Sequence, residues 1–167
     1  CDPINYSYPW RDNFCEDRRY ATPFCPSGTG HQGQDIRPPT CPPLEPRDAR
    51  PEYWAVAAAD GQITGVTGHI VTLDADDGTR FLYMHLDPDS LVVDAEDRVA
   101  RGDRIGVISN YFGSTPTTYH LHLEIRQTVA VDGQLLTLTP VPPYASLVDA
   151  YERLLDGEEG DFPAPGE

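Results

Sequence analysis

The residues best suited to chemistry lie in the stretch 119–124, where ring and aliphatic side chains alternate at a period of two. Such alternation is typical of a β-strand with one polar and one apolar face. We therefore expect His120, His122 and Glu124 to project to the same side. Two imidazoles on one strand face can address a common point, such as a metal ion and the substrate beside it. The plainer interpretation is a pair of surface histidines on a half-exposed strand.

A second candidate pair, His31 and Asp35, lies in the glycine-rich stretch 28–36. The glycines let the backbone turn tightly, and these two side chains are the ones in the stretch that can ligate a hard or borderline metal. The alternative is a polar loop whose histidine and aspartate cap one another.

The remaining histidines are weaker candidates. In a strand over residues 81–86, His85 would share a face with Phe81 and Tyr83, which is more typical of a structural residue than of a catalyst. His69 follows a glycine at a strand start and has no evident partner, so we interpret it as structural or surface.

The elements that must position these side chains are mainly β. From Trp54 onward, short alternating runs are separated by turn residues at even spacing, without a βαβ rhythm, which predicts a compact antiparallel β-sheet or β-sandwich core. Asp-Gly pairs at 60–61, 77–78 and 132–133 predict hairpins. Apolar residues at helical spacing after two prolines predict one amphipathic C-terminal helix over 141–155.

This pattern predicts four segments. Residues 1–27 form an irregular arm packed on the domain, and residues 28–140 form the domain itself. A proline-rich insertion at 38–53 either walls a groove or is a tolerated surface loop. The helix over 141–155 is followed by an acidic, flexible tail at 156–167.

Cysteines at positions 1, 15, 25 and 41 indicate disulfides that tie down the arm, and hence an oxidising compartment. Three connectivities are possible. Proximity favours Cys1–Cys15 and Cys25–Cys41, the second of which would close a loop around the His31/Asp35 turn. A lipidated Cys1 is a less favoured alternative.

Composition excludes several classes of function. The net charge of −15 argues against a nucleic-acid partner. All twelve basic residues are arginine, so lysine chemistry is absent and a lipoyl-type carrier, otherwise suggested by the paired short strands, is excluded. No run of about 18 apolar residues is present, so no membrane span is expected.

Three motifs now combine: His-x-Gly-x-Asp at 31–35, Tyr-Met-His-Leu at 83–86 and His-Leu-His at 120–122. Together they resemble the lysostaphin/LytM family of zinc endopeptidases, over roughly residues 28–127. The turns and strands at 58–61 and 99–106 are also similar to that family. Three motifs in the right order are far more specific than any one of them.

The resemblance implies a β-sheet domain with a groove that holds one Zn²⁺ per chain. The implied zinc ligands are His31, Asp35 and His122, and the implied catalytic histidines beside the metal are His85 and His120. Two imidazoles and one carboxylate leave a tetrahedral zinc ion one open position for water. No His-Glu-x-x-His helix is present, so a thermolysin-like glutamate base is not expected.

The function expected from this resemblance is hydrolysis of peptide cross-links or stem peptides of bacterial peptidoglycan, by a periplasmic or secreted monomer. The alternative is a non-catalytic relative that binds the wall or activates an amidase. Such relatives usually lack some metal or catalytic residues, whereas this chain retains all five.

Overall fold

The structure is a computed structural model that describes residues 10–38 and 52–157. It confirms a mainly β, antiparallel architecture with one α-helix near the C-terminus. The elements are β1 (Gln34–Ile36), β2 (Trp54–Val56), β3 (Gly61–Thr67), β4 (Ile70–Ala75), β5 (Arg80–Met84), β6 (Arg98–Val99), β7 (Arg104–Val107), β8 (Leu121–Val131), β9 (Gln134–Val141) and α1 (Tyr144–Leu155).

Seven strands form one antiparallel sheet in the order β1-β8-β5-β4-β3-β6, in which β9 also pairs with β8. The long strand β8 has β5 along one edge. Along its other edge it pairs first with β1 and then with β9. Strands β2 and β7 form a separate two-stranded sheet. Strand β8 is therefore the element around which the candidate site residues can be assembled.

The core explains which way each strand faces. Val71, Tyr83 and Leu123 are cross-strand neighbours on β4, β5 and β8, and each is at most 5% exposed. Because successive side chains on a strand point to opposite faces, the neighbour of Leu123, His122, lies on the other face of the sheet. The apolar half of the predicted alternation on β8 is thus the half that packs in the core.

Two of the three predicted hairpins are confirmed. The Asp-Gly pair at 77–78 joins β4 to β5, and the pair at 132–133 joins β8 to β9. The hairpin predicted at 60–61 is wrong, because β2 pairs with β7 whereas β3 pairs with β4 and β6. Pairing with strands distant in sequence overrides the local turn signal there.

The N-terminal arm packs on β1. Two backbone hydrogen bonds join the arm to the turn before β1. The Cys15 N–H donates to the His31 carbonyl (3.1 Å), and the His31 N–H donates to the Glu16 carbonyl (2.9 Å). The Gln34 amide group donates to the Arg11 carbonyl (2.8 Å). Because β1 is the outermost strand in the order of the sheet, these bonds hold the arm along the stretch that carries His31 and Asp35.

The disulfide within the described residues joins Cys15 to Cys25. The predicted pairs Cys1–Cys15 and Cys25–Cys41 are therefore wrong. Proximity in sequence misled the choice, because the chain turns back at residues 22–29, where the Thr22 N–H donates to the Gly28 carbonyl. Cys1 and Cys41 lie outside the described residues, as do most of the predicted insertion and the tail from residue 158.

The C-terminal helix α1 begins three residues later than predicted and ends where predicted. The Tyr144 hydroxyl donates to the Trp10 carbonyl (2.8 Å), and the Trp10 and Tyr151 rings lie 5.0 Å apart. The helix therefore contacts the arm. At 12 residues, α1 is too short to cross a membrane. No helix in the described ranges is long and apolar enough to do so.

We predict that a Cys15→Ser/Cys25→Ser variant is less stable than the parent protein. The disulfide closes a loop of 10 residues, which corresponds to about 3 kcal/mol in the chain-entropy model. Urea denaturation of the oxidised parent and of the variant measures the difference in the free energy of unfolding.

A digest with trypsin and endoproteinase Asp-N, without reduction, checks the connectivity itself, because Asp-N cleaves before Asp35 and so separates Cys25 from Cys41. The expected product links residues 12–16 to residues 20–34. A product in which residues 12–16 are linked to Cys1 or to residues 35–47 instead would contradict the Cys15–Cys25 pairing.

Candidate metal centre

Three side-chain donors meet at one point on the face of the sheet opposite the core. The Nε2 atom of His31 lies 2.9 Å from Nδ1 of His122. Oδ1 of Asp35 lies 3.3 Å from Nε2 of His31 and 3.1 Å from Nδ1 of His122. Within the described residues these three form the group of His, Cys, Asp and Glu side chains placed to hold a metal ion.

The register of the sheet brings these donors together. His122 on β8 is the direct cross-strand neighbour of Asp35 on β1, so both side chains project from the same face. The turn before β1 adds His31. A side chain is excluded at Gly33, because a Cβ atom there would lie 2.4 Å from the Leu123 carbonyl oxygen, and glycine therefore lets the turn approach β8 closely.

The second nitrogen of each imidazole has a partner outside the centre. Nδ1–H of His31 donates to the Asn13 carbonyl (2.9 Å), and Nε2–H of His122 donates to Oε1 of Glu124 (3.2 Å). The lone pairs on Nε2 of His31 and Nδ1 of His122 therefore face each other across 2.9 Å. This arrangement needs a proton or a cation between the two nitrogens. Orienting bonds of this kind are typical of metal-ligating histidines, and two imidazoles with one carboxylate suit zinc.

The electrostatics of the centre favour a bound cation. Burial would raise the pKa of Asp35, but its close contacts with the imidazoles of His122 and His31 outweigh burial and hold that pKa far below its usual range. Burial would lower the pKa of His122, but its bonds to Asp35 and Glu124 raise the pKa to about 9. Asp35 is thus a permanent anion, and Nδ1 of His122 is the atom for which protons and metal ions compete.

His120 lies directly beside the three donors. Its Nε2 atom is 3.4 Å from Oδ1 of Asp35, and its Nδ1–H donates to the Thr118 carbonyl (2.7 Å). Burial lowers the pKa of His120, and Asp35 opposes that shift only in part. The imidazole is therefore neutral at pH 7, with its free lone pair at Nε2 next to the centre.

His85 reaches the same pocket by leaving its strand. The predicted strand over 81–86 ends at Met84, and His85 has a left-handed backbone with φ of 65°. The expectation that His85 shares a face with Phe81 and Tyr83 is wrong, because this backbone breaks the alternation. The His85 ring instead lies 4.6 Å from the ring of His120.

The hydrogen bonding of His85 resembles that of His120. Its Nδ1–H donates to the Tyr111 carbonyl (3.0 Å), which leaves the Nε2 lone pair free. Burial, together with repulsion from His120 whenever both rings are protonated, lowers the pKa of His85 to about 4. This second imidazole is also neutral at pH 7.

A groove of about 660 Å³ runs over the centre. The arm forms part of its wall, and Phe112, Thr117 and Thr118 from the loop between β7 and β8 contribute to its lining. All five candidate residues also line this groove. The donors are therefore accessible to a ligand although each of the histidines is buried.

Comparison with known proteins bears on this arrangement. The model of peptidase family M23 matches residues 29–134, which include every candidate residue. This chain belongs to peptidase family M23. The expected resemblance to lysostaphin/LytM peptidases is thus confirmed, and M23 peptidases are zinc metallopeptidases. No significant match was found among curated protein sequences.

Solved structures show that the M23 chain shares its fold with the peptidase lysostaphin and with LytU. The catalytic domain of lysostaphin from Staphylococcus simulans is 22% identical, with a TM-score of 0.50 over 86% of this chain and 98% of that domain. Full-length lysostaphin from the same organism is 22% identical, with a TM-score of 0.50 over 98% of this chain and 60% of that protein. LytU is 22% identical, with a TM-score of 0.50 over 89% of this chain and 94% of that one.

Sequence reasoning missed three supports of this M23 site. Asn13 of the arm binds His31 through its carbonyl and accepts the Asp35 N–H through Oδ1 (3.0 Å), and no local pattern marks it. Glu124 was placed on the correct face without a role. His69, interpreted as structural or surface, stacks on His85 at 5.7 Å with an interplanar angle of 7°.

The bond between Glu124 and His122 generates a prediction. In a Glu124→Ala variant, Nε2–H of His122 loses its acceptor, so the ring is no longer fixed with its lone pair toward Asp35. We expect zinc affinity to fall about 10–100-fold, measured by competition with a chromophoric chelator. Asp149→Ala, which removes one exposed carboxylate on α1, should leave the affinity unchanged. Equal affinities in both variants would contradict the orienting role.

Proposed function

We propose that this chain is a zinc-dependent endopeptidase that hydrolyses peptide cross-links or stem peptides of bacterial peptidoglycan. His31, Asp35 and His122 would hold the zinc ion, and His120 and His85 would assist the reaction. Membership of peptidase family M23 supports the reaction class. Lysostaphin, whose catalytic domain shares this fold, is described as an antimicrobial peptidase.

The observation that carries the proposal is the convergence of three donor atoms within 3.3 Å of one another at the floor of an open groove. A zinc ion bound there would polarise the scissile carbonyl and lower the pKa of a water molecule to roughly 7. The protein's own part is to hold the ligands rigidly and to place two further imidazoles beside them.

His120 and His85 are suited to proton transfer because of their tautomers. Each donates Nδ1–H to a backbone carbonyl, of Thr118 and Tyr111 respectively, so each keeps a lone pair at Nε2. A neutral imidazole in this form accepts a proton from the attacking water and can return it to the leaving amine. Once protonated, the same Nε2–H can donate to the oxyanion.

The setting of the site fits an enzyme of the cell envelope. The Cys15–Cys25 disulfide suits the oxidising conditions of the periplasm or the exterior. The groove supplies a place for a peptide of the wall, and we expect the protein to act as a monomer. A non-catalytic wall-binding or amidase-activating role is less favoured, because all five metal and catalytic candidates are present and line one groove.

Three variants test the division of roles. His122→Ala should lose both zinc and activity, since it removes a ligand. His120→Ala and His85→Ala should keep about one zinc per chain yet lose turnover by about 10²–10⁴-fold. Zinc is measured by atomic absorption and turnover by chromatography of peptides released from purified peptidoglycan.

Asp149→Ala serves as the matched control and should retain both zinc and turnover. A His120→Ala protein that cleaves at the parental rate would contradict its catalytic role. Stoichiometric zinc in His122→Ala would overturn the ligand assignment.

A further inference from the structure

A fifth histidine, outside the metal centre, packs on the candidate catalytic residue His85. His69 lies at the turn between β3 and β4, and its carbonyl accepts the Leu86 N–H (3.1 Å). The turn is therefore tied through the backbone to the residue that directly follows His85. This bond brings the side chains of His69 and His85 into the same region of the molecule.

The ring of His69 lies flat against the ring of His85. Their centroids are 5.7 Å apart and their planes differ by 7°, which is an offset-stacked arrangement. The Phe112 ring meets both edge-on, at 5.8 Å from His69 and 5.4 Å from His85. The His120 ring is tilted by 56° to that of His85. Among the ring contacts of His85 with the described residues, the contact with His69 is the one that matches its plane.

The hydrogen bonds of His85 hold its backbone and one ring nitrogen. Its carbonyl accepts from the N–H (2.7 Å) and from the hydroxyl (2.8 Å) of Ser109, which fixes the left-handed backbone. Nδ1–H donates to the Tyr111 carbonyl (3.0 Å). A single bond at Nδ1 still lets the ring plane tilt, and a tilt displaces Nε2 on the far side of the ring. The flat contact with His69 opposes this tilt.

Hydrogen bonding by Nε2 does not explain why His69 lies there. This atom is buried and has no hydrogen-bond partner in the part of the chain that the structure describes. A buried polar atom without a partner costs free energy. His69 is also absent from the described residues that line the groove, so it is not placed to touch a substrate. What His69 offers is the face of its ring, which packs on His85.

We propose that His69 is a positioning residue for the peptidase reaction. The flat face of its ring holds the His85 imidazole in its observed orientation, with Nδ1–H on the Tyr111 carbonyl and the Nε2 lone pair free to accept a proton. This inference rests on the proposed peptidase function and deepens it. His85 remains the group that transfers the proton, and His69 acts through it.

Substitutions at position 69 separate the flat face of the ring from its polarity and its bulk. His69→Phe keeps a flat ring without nitrogens, His69→Leu keeps bulk without a flat face, and His69→Ala removes both. Turnover of cross-linked muropeptides is measured with the zinc-loaded proteins. We expect His69→Phe to retain kcat. We expect the Leu and Ala variants to lower kcat about 10–100-fold with little change in KM, because a small misplacement of a catalytic group has an effect of this size.

The matched control is Thr67→Ala, which alters an exposed side chain at the end of β3 beside the same turn. It should leave kcat and KM unchanged. Zinc content and melting temperature are measured for every variant, so that a folding defect is recognised. A His69→Phe protein that folds but is as impaired as His69→Ala would overturn the inference, as would an unchanged kcat in all three variants at position 69.

A double-mutant cycle distinguishes positioning of His85 from a general structural role. If His69 acts through His85, His69→Ala should lower kcat in the parent protein but leave the residual turnover of His85→Ala unchanged. An equal loss in both backgrounds would overturn the inference.

NMR spectra of the zinc-loaded protein, isotopically labelled at the histidine ring nitrogens, test the inference without turnover. The bond to Tyr111 selects the tautomer of His85. We therefore expect the proton to stay on Nδ1 in the parent and in His69→Phe, and to be shared between Nδ1 and Nε2 in His69→Ala. This result supports the inference even if the parent protein cleaves no muropeptide, in which case the peptidase proposal fails alone. A single, unchanged tautomer in His69→Ala would overturn the inference.

Discussion

Nε2 of His31 and Nδ1 of His122 face each other across 2.9 Å. This arrangement is stable only with a proton or a cation between the two nitrogens. Their orientation is not accidental, since the outer N–H of His31 is bound by the Asn13 carbonyl and that of His122 by Glu124. Asp35 adds a buried anion to the same point. The requirement for a positive charge at this point governs much of the surrounding structure.

This requirement explains how the fold is arranged. His31 and His122 are 91 residues apart, so only sheet pairing between β1 and β8 can bring them together. Strand β1 is three residues long, which is short for a strand that must hold Asp35, and the turn that carries His31, in register with β8. The arm stabilises this strand through Asn13, and the Cys15–Cys25 disulfide restrains the arm.

Sequence alone predicted those parts of the site that depend on local periodicity. The alternation over residues 119–124 predicted the strand and the polar face that carries His122 and Glu124, although β8 begins at Leu121 and His120 lies just before it. The position of His85 followed only from the family resemblance, because its left-handed backbone reverses the face that alternation predicts. The disulfide pairing and the partners of β2 and β3 depend on contacts between distant segments, which neither proximity nor turn chemistry encodes.

The most direct test of this account is a crystal structure of the zinc-loaded protein with diffraction data on both sides of the zinc absorption edge. We expect one anomalous peak per chain, bonded at about 2.0–2.2 Å to Nε2 of His31, Oδ1 of Asp35 and Nδ1 of His122. The Nε2 atom of His122 should remain on Glu124. A zinc peak between His122 and Glu124, or on His85 and His120, would contradict the account.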